Sequence, residues 1–529
     1  MKDITLVVSP ETYHTPALLH AAAARQMGVS PADISHVEVV RRSLDSRRGI
    51  RYHVQAEVYM HDEEYHQPDY SSPYRDCRQG RPVVIVGAGP AGLFAALHAL
   101  ELGLRPIIVD RGRPVEQRKK DITNLVRQRQ VEADSNWCFG EGGAGTYSDG
   151  KLYTRSTKRG DVGAVLRKFV EHGADPAIMI DAHAHIGTDR LSPIIASIRH
   201  TIEGHGGEYH FGSRVTDIVV KADGHVGGVR LSDDTVIDGV AVILATGHSA
   251  RDIYSLFHRH RWTLEAKPFA IGVRVEHPQQ LINRIQYHGS HYSPLLPPAA
   301  YSVTTQVGSH GVFSFCMCPG GIIVPAATAA GEQVVNGMSN ASRSSAYANS
   351  GIAVTVGVDD LPAFRQWASL HGEPVVDDDS PLSLLHLQQA VEHVAYRAAG
   401  GALNAPSQRL TDFCDGKGAS TLNRSNYMGS CVPVPIAEVL PPFVADALRQ
   451  GFRDFDRKMR GFYTAEASLL AVESRTSSPV RIPRDKETFQ HPQLPGLYPC
   501  GEGAGYAGGI VSSALDGIAC IDHLAATLQ

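Results

Sequence analysis

The sequence predicts an α/β fold: a parallel-sheet domain of the Rossmann-like kind, split by an inserted α+β domain and preceded by a small ferredoxin-like α+β module. Three stretches carry that expectation. Residues 81–112, RPVVIVGAGPAGLFAALHALELGLRPIIVDRG, read as strand, glycine turn, helix and second strand. Residues 496–524 run again from strand through a glycine turn into a helix, far down the chain. Residues 4–58 follow the order β-α-β-β. Boundaries are expected at 1–75 for the module, 76–265 and 425–529 for the two parts of the parallel-sheet domain, and 266–424 for the insert.

In the module, Ile4 to Val8 is strand-like and Ala17 to Met27 is an Ala- and Leu-rich helix. Val37–Val40 and Tyr52–Val58 alternate with period two, as half-buried strands do. The basic run Arg41 to Arg48 reads as a solvated loop, or as a contact for a phosphate or a partner. His61 to Gln79 is polar, contains Pro and Tyr, and reads as a linker.

Val83–Val86 is the short apolar run of a buried parallel strand. In the turn that follows, Gly87 permits the tight bend, Gly89 lets backbone approach a pyrophosphate, and Gly92 lets helix and strand pack closely. Pro90 and Ala91 open the helix, whose unpaired N–H groups and positive dipole end suit an anion. Asp110 ends the second strand, placed to accept from ribose hydroxyls, and Arg111 follows it. With all four parts in register, this is a dinucleotide site.

The stretch 139–151, FGEGGAGTYSDGK, has too many glycines for a helix or strand interior. Gly142, Gly143, Ala144, Gly145, Thr146 and Ser148 are therefore expected as a second wall lying flat against the ligand. Arg214 to Val220, including Val215, and Val229–Leu231 look hairpin-like. Gly239–Gly247 reads as a buried strand whose Ala245, Thr246 and Gly247 turn the chain beside the cofactor. In the last turn Gly501 and Glu502 face a ribityl chain. The helix opening after Gly508, Gly509 and Ile510 faces the flavin pyrimidine ring, where its dipole stabilises the negative charge of reduction. A small NAD domain has no use for so distant a turn. The longer FAD, bound non-covalently, does.

Together GAGPAG with Asp110, FGEGGAGTYSDGKL, ATGHSARD (245–252), FCMCPGG (315–321), ESRTSSPVRI (473–482) and GEGAGYAGGI (501–510) resemble the family of FAD-utilising dehydrogenases found in bacteria and chloroplasts. These are distant relatives of the aminoacetone-oxidase-like flavoproteins. The resemblance runs from the glycine turn to the C-terminus. It implies FAD across a fold of the glutathione-reductase type, with a substrate domain inserted between ATG and GEGAG. The family often has Glu where this chain has Asp110, and either acid can bind ribose.

Composition narrows the setting. The chain has 529 residues, 43% hydrophobic and 20% charged, an ordinary globular balance for two or three domains. A net charge of −5 and a pI near 6.6 give no reason to expect nucleic acid or a membrane surface. No apolar run is expected to reach a membrane span, the N-terminus lacks a signal-peptide layout, and a cytoplasmic home is the default. The eight cysteines show no CxxC and no zinc spacing, so free thiols and no metal are expected.

In the insert, Ala270–Glu276, Tyr301–Thr305 and Gly311–Phe315 look like strands, and Pro381 to Ala398 like a helix. A mixed sheet capped by helices would roof the isoalloxazine ring, and a small-molecule substrate would lie at the junction. Chemistry candidates there are Arg475, His248 and Cys316. Arg475 is either a carboxylate clamp or an ion-pair partner of Glu473 or another acid. His248 and Arg251 are an acid/base group and an anion anchor, or capping and packing groups. Cys316 and Cys318 form a thiol pair, a nucleophile with its neighbour, or two small buried hydrophobes. Tyr506 borders the flavin.

Only one complete GxGxxG unit and no CxxxxC are visible, so electrons are expected from substrate directly or from NAD(P)H or a protein donor bound transiently. The leading function is a two-electron oxidoreductase. The alternatives are a flavin monooxygenase and a flavin-containing sensor whose N-terminal module engages a protein partner.

Overall fold

The computed structural model describes residues 1–47, 49–153, 160–289, 293–374, 377 and 379–528. Its centre is a five-stranded sheet in the spatial order Leu497–Pro499, Ala241–Leu244, Pro82–Val86, Arg105–Val109, Glu208–His210. Every pairing is parallel. Strands covered on both faces need apolar residues at successive positions, and Val83–Val86 and Ala241–Leu244 are buried throughout. The register aligns Val86 with Leu244 and Val109, and Leu244 with Pro499. Gly87, Asp110, Ala245 and Cys500 therefore all leave the sheet at its carboxyl edge. Chain order reverses beside Pro82–Val86, the point where such sheets open a ligand crevice.

Helices Pro90–Glu101 and Ile510–Leu528 pack against each other at close range. A Cβ on Gly517 would overlap the carbonyl of Ala91. Helix Ile510–Leu528 has 19 residues and a mean hydropathy of 1.2, enough in length and composition for a membrane span. This corrects the expectation that no apolar run reaches that length, because the helix continues past Leu524. Half of it is buried in the fold, and its Asp516 is bonded by Arg484 at 2.6 and 3.0 Å. A three-stranded antiparallel sheet, Val215–Val220, Val226–Leu231 and Val236–Asp238, enters the domain through Ser213, whose N–H donates to Asp110 O at 2.9 Å.

The N-terminal module pairs Lys2–Val8, Arg51–Met60 and Ile34–Asp45 antiparallel, in that order. Helices Pro10–His14 and Pro16–Met27 accompany them, and Ile4, Leu6, Leu19, Ala23, Val54 and Val58 form its core. The order is β-α-α-β-β, so the second αβ half of a ferredoxin-like unit is absent among the described residues. The basic run is not a loop. Arg41 and Arg42 lie inside strand Ile34–Asp45, whose pairing shifts register between Val39 and Arg41 and shows no alternating burial. Arg42 donates to Asp181 Oδ2 at 2.8 Å and to Tyr13 at 2.6 Å, tying the module to the body of the protein. Arg48 lies outside the described residues. The expected linker forms no helix or strand, yet it is docked: Ser72 N–H and Tyr74 OH donate to Glu171 at 2.9 and 3.0 Å.

The insert folds as a seven-stranded sheet in the order Thr304–Val307, His310–Cys318, Tyr347–Val356, Phe269–Pro278, Ser468–Glu473, Asn404–Arg409, Ser430–Pro433. Only the last pair is parallel, so the sheet is mixed. Helices Leu361–Leu370, Ser383–Ala398 and Pro442–Lys458 bury their apolar residues on it. The sheet runs past the expected boundary at Arg424, because its interior strand Ser468–Glu473 and its edge strand Ser430–Pro433 come from the returning chain. Tyr301–Val303 are irregular, and the expected strand starts at Thr304.

Gly517→Ala is expected to destabilise the protein by about 1–3 kcal/mol, since a methyl must displace backbone of the facing helix. Gly204→Ala, where a Cβ meets nothing within 4 Å, is expected to cost nothing. Denaturant melts of the two variants check this.

Candidate flavin site

The first glycine turn is held by backbone. Gly87 has φ 107°, and a Cβ there would strike Ala245 O across the sheet edge. Gly92 is one turn into its helix, where a Cβ would overlap Gly87 O. Gly89 differs: its backbone is extended, and the nearest atom to a Cβ would be Gly143 Cα at 3.8 Å. The two glycine-rich segments thus face each other, as Gly142 N–H donating to Ala88 O at 2.7 Å confirms.

The second segment is shaped from behind by Arg118, which is fully buried on helix Val115–Gln128. Its Nη1 donates to Glu141 O at 2.8 Å and Gly143 O at 2.7 Å, with Gly140 O at 3.3 Å. Nε and Nη2 reach Asn136 O and Trp137 O at 3.0 and 2.9 Å. Burial lowers the Arg118 pKa from its ordinary value. Glu141 caps the same helix through Val115 N–H at 2.8 Å, and burial pushes its carboxyl up to about 7. Thr146 and Ser148 do not offer free hydroxyls to a ligand. Thr146 Oγ1 donates to Glu141 O at 3.3 Å, and Ser148 Oγ donates to Gly145 O at 2.8 Å. Ala144 is exposed, and Gly145 lies between the two helix starts, where a Cβ would be 3.3 Å from both Pro90 and Ile510.

Asp110 is buried and already engaged. Its Oδ2 accepts Ala88 N–H and its Oδ1 accepts Gly112 N–H, each at 2.8 Å. Arg111 is turned away into an ion pair with Asp252 at 2.6 Å, its guanidinium 4.4 Å from the Phe139 ring centre. Val215 is buried two residues beyond the Ser213–Asp110 contact.

The C-terminal turn closes the site. Gly501, with φ 73°, donates its N–H to Asp516 at 2.7 Å, and Gly503 packs against Gly247 O, which a Cβ would approach to 2.6 Å. Arg484 pins both through Asp516 and Pro499 O at 2.8 Å. Tyr506 OH accepts Arg484 N–H at 2.9 Å, and its ring lies 4.0 Å from the Arg484 guanidinium. Gly508 and Gly509 have neither a positive φ nor any atom within 4 Å of a Cβ. A Cβ at either position would meet open space, room in which a ligand could lie along the turn. Thr246 and Gly247 share this edge, Gly247 with φ 72° and open space beyond it. Glu502 is 26% exposed, and burial pushes its carboxyl up to about 7, against the pull of Lys267. His248 Nε2 lies 3.9 Å from Glu502 Oε1. Burial, with Arg475 and Arg251 nearby, drops its pKa to about 3, so the imidazole is neutral at physiological pH.

Arg475 is not a free clamp. It donates to Glu332 at 2.7 Å, to Glu392 at 3.1 and 3.2 Å, to Thr328 at 2.6 Å and to Ser249 at 3.2 Å. Arg251 bonds the same two carboxylates at 2.6 and 2.9 Å. Glu473 pairs instead with Arg274, at 2.7 and 2.9 Å. These ion pairs fasten the segment after Gly247 to the roof, so the anion-anchor readings of Arg475 and Arg251 give way to structural ones. Cys316 sits at a bulge near the end of strand His310–Cys318, with φ 42°. Its side chain is exposed, unlike that of Cys318, which is buried, so the two do not form a pair of buried small hydrophobes.

The glycine walls, two adjacent helix starts and the open turn at Gly508–Gly509 fit FAD. Cys500, Asp516 and Cys520 come close enough for a metal, but Asp516 is taken by Arg484 and Gly501 N–H. Sequence reasoning missed Arg118 and Arg484. Arg118 had one signal: it falls three residues after Val115, on the apolar stripe of its helix.

The fold and this edge define a dinucleotide-binding α/β protein of the FAD-dependent class. Residues 268–476 match the family described as "FAD-dependent protein, C-terminal domain-like", and residues 1–59 match a domain of unknown function. The chain belongs to one family with an uncharacterised protein of Clostridium beijerinckii, 37% identical over 530 residues, spanning 96% of this chain and 95% of that one. Among solved structures, a flavin-dependent brominase shares 12% identity over 84% of this chain and 80% of its own, with a TM-score of 0.35. An open flavocytochrome c3 fumarate reductase shares 13% over 84% and 78%, with a TM-score of 0.34. Likeness at that level leaves the fold to the chain's own topology.

Two outcomes are expected. Arg118→Met takes a donor from five backbone carbonyls, among them Asn136 O and Trp137 O, and should lower stability by about 3 kcal/mol or more and reduce the FAD retained on purification. Denaturant melts and the flavin-to-protein absorbance ratio report both. Glu502 has its folded pKa raised, so it costs stability once the unfolded chain ionises near 4.5, and the cost grows until about pH 7. Glu502→Gln should therefore gain on wild type between pH 5 and pH 8, by up to about 3 kcal/mol. Melting the pair across that range gives the sign.

Proposed function

We propose that the protein is an FAD-dependent two-electron oxidoreductase acting on a small molecule held between the carboxyl edge of the parallel sheet and the seven-stranded roof. The observation that carries this is the turn at Gly508–Gly509, where a Cβ would meet no atom of the protein within 4 Å at the start of helix Ile510–Leu528. FAD laid across the edge in the glutathione-reductase manner would meet Gly89, Gly143, Gly145 and the starts of both helices, and would supply the hydride chemistry. Asp110 holds the first turn in shape and keeps lone pairs for a ribose. Glu502, its carboxyl pushed up to about 7, can donate as well as accept a hydrogen bond near neutral pH. Neutral His248 beside it adds no charge to the cleft. The ion pairs of Arg251 and Arg475 with Glu332 and Glu392 hold the roof on the segment after Gly247. This reading places the chain among the FAD-utilising dehydrogenases that its motifs resemble, with substrate or transient NAD(P)H as electron source.

The purified protein is expected to carry FAD that bleaches anaerobically with at least one of a panel of amines, hydroxy acids, NADH and NADPH. Intact bound FAD that none of them reduces would sink the dehydrogenase reading.

A further inference from the structure

Beyond the flavin site, a second charged group of residues stands where the exit of the glycine loop meets the roof. Asp149 and Lys151 come from the loop, Cys316, Met317 and Cys318 from the end of strand His310–Cys318, and Ser339 and Arg343 from the segment after strand Val335–Met338. Asp149 is saturated. Arg343 grips it through Nε at 3.0 Å and Nη2 at 2.5 Å, and Ser339 Oγ donates to it as well. Lys151 Nζ is 3.8 Å from that carboxylate and donates to Met317 O. One roof carbonyl and a carboxylate already bonded by Arg343 and Ser339 leave the ammonium with donors to spare, and a quarter of the side chain is exposed.

The roof is shaped around this ammonium. Strand His310–Cys318 slips register against Tyr347–Val356 between Phe315 and Cys318. That bulge carries Cys316 into the left-handed region and exposes it, although Met317, Cys318 and Pro319 are buried. Bulges re-aim side chains in this way beside sites. Arg274 closes the back of the cluster. Its charge is matched by Glu473, and its Nη1 donates to Cys316 O at 3.2 Å. Three cations, Lys151, Arg274 and Arg343, thus stand against two carboxylates, Asp149 and Glu473. The excess is one positive charge, and it belongs to the exposed ammonium.

We propose that Lys151 and the bulge at Cys316 form the substrate's anchoring subsite, and that the substrate is a carboxylate-bearing organic molecule. A single surplus charge matches a monoanion, while a phosphate ester would bring more negative charge than the cluster balances. Cys316, a neutral thiol on a rigid bulge, meets the carbon skeleton beside the carboxylate. This assignment rests on the flavin reading above, because it makes the same cleft the substrate pocket.

The test uses full-length protein and three probes: benzoate, its uncharged counterpart benzamide, and inorganic phosphate. Two readouts run in parallel, perturbation of the flavin spectrum and shift of the melting temperature. Benzoate is expected to bind, and benzamide and phosphate at least about tenfold more weakly, the factor one charge-assisted hydrogen bond supplies. Lys151→Met should lose that preference with FAD content unchanged, and Lys151→Arg should keep it, which separates lost charge from lost fold. Equal binding of benzoate and benzamide, tighter binding of phosphate, or a preference that survives in Lys151→Met overturns the proposal. Protein without FAD would overturn the flavin reading alone, since the melting shift still reports whether benzoate is preferred.

Discussion

The site depends on one guanidinium bonded to carbonyls. Arg118 is buried without a carboxylate partner of its own, and it gathers the carbonyl oxygens of Asn136, Trp137, Gly140, Glu141 and Gly143. A trans peptide carries its C=O and N–H on opposite sides. Drawing the carbonyls of 140, 141 and 143 toward Arg118 therefore turns the N–H groups of 141, 142 and 144 the other way. The N–H of Gly142 meets Ala88 O in the first turn, which shows the direction. A glycine-rich loop left to itself has the greatest entropy to lose on ordering. Arg118 orders it by supplying donors to five carbonyls in and just before it. The loop's shape is thus fixed from behind by Arg118 and from the other side by Glu141 N–H on Arg113 O and Gly142 N–H on Ala88 O.

A second pair of arginines does for the domains what Arg118 does for the loop. Arg251 and Arg475 come from opposite sides of the insert, one just after Gly247 and one just after strand Ser468–Glu473. Both bond Glu332 and Glu392, so two cations balance two carboxylates in a buried group. Breaking one member would leave an uncompensated charge. The group therefore gives a definite placement of roof over sheet rather than much net stability. The strand pair Glu265–Ala266 with Val480–Arg481 stitches the two crossing chains together nearby.

Much of this was legible in the chain. The strands of the parallel sheet are short apolar runs, and their ends carry Gly87, Asp110 and Ala245 in register because the runs end together. The glycines at 89, 508 and 509 are legible as ligand-facing from their motifs, and in the structure a Cβ at 508 or 509 would meet nothing within 4 Å and at 89 only Gly143 Cα at 3.8 Å. What could not be read is pairing at long range. Nothing local says that Arg475 meets Glu332 rather than Glu473, two residues away. The same holds for the sheet boundary, since Ser468–Glu473 finds its partners Phe269–Pro278 and Asn404–Arg409 only after the intervening chain has folded. Irregular pairing also hid local structure, as in strand Ile34–Asp45, where register shifts at Ile34/His36 and Val39/Arg41 leave no alternating burial for the sequence to show.

Asp110 shows how one side chain can serve turn and ligand at once. A carboxylate offers about four acceptor positions, and two are used by Ala88 and Gly112 N–H. A glutamate at this position would extend one methylene further from the strand and could not sit back on both amides in the same way. The shorter acid therefore links the first glycine turn to the end of the second strand, with acceptors left for a ribose. Ala88 is also the residue whose carbonyl receives Gly142 N–H. Both polar groups of that residue are held, one by Asp110 and the other by the loop that Arg118 shapes. The two walls of the crevice are thereby fixed relative to each other through a single residue of the first turn, and the rigidity of the site follows from hydrogen bonds made before any cofactor contact.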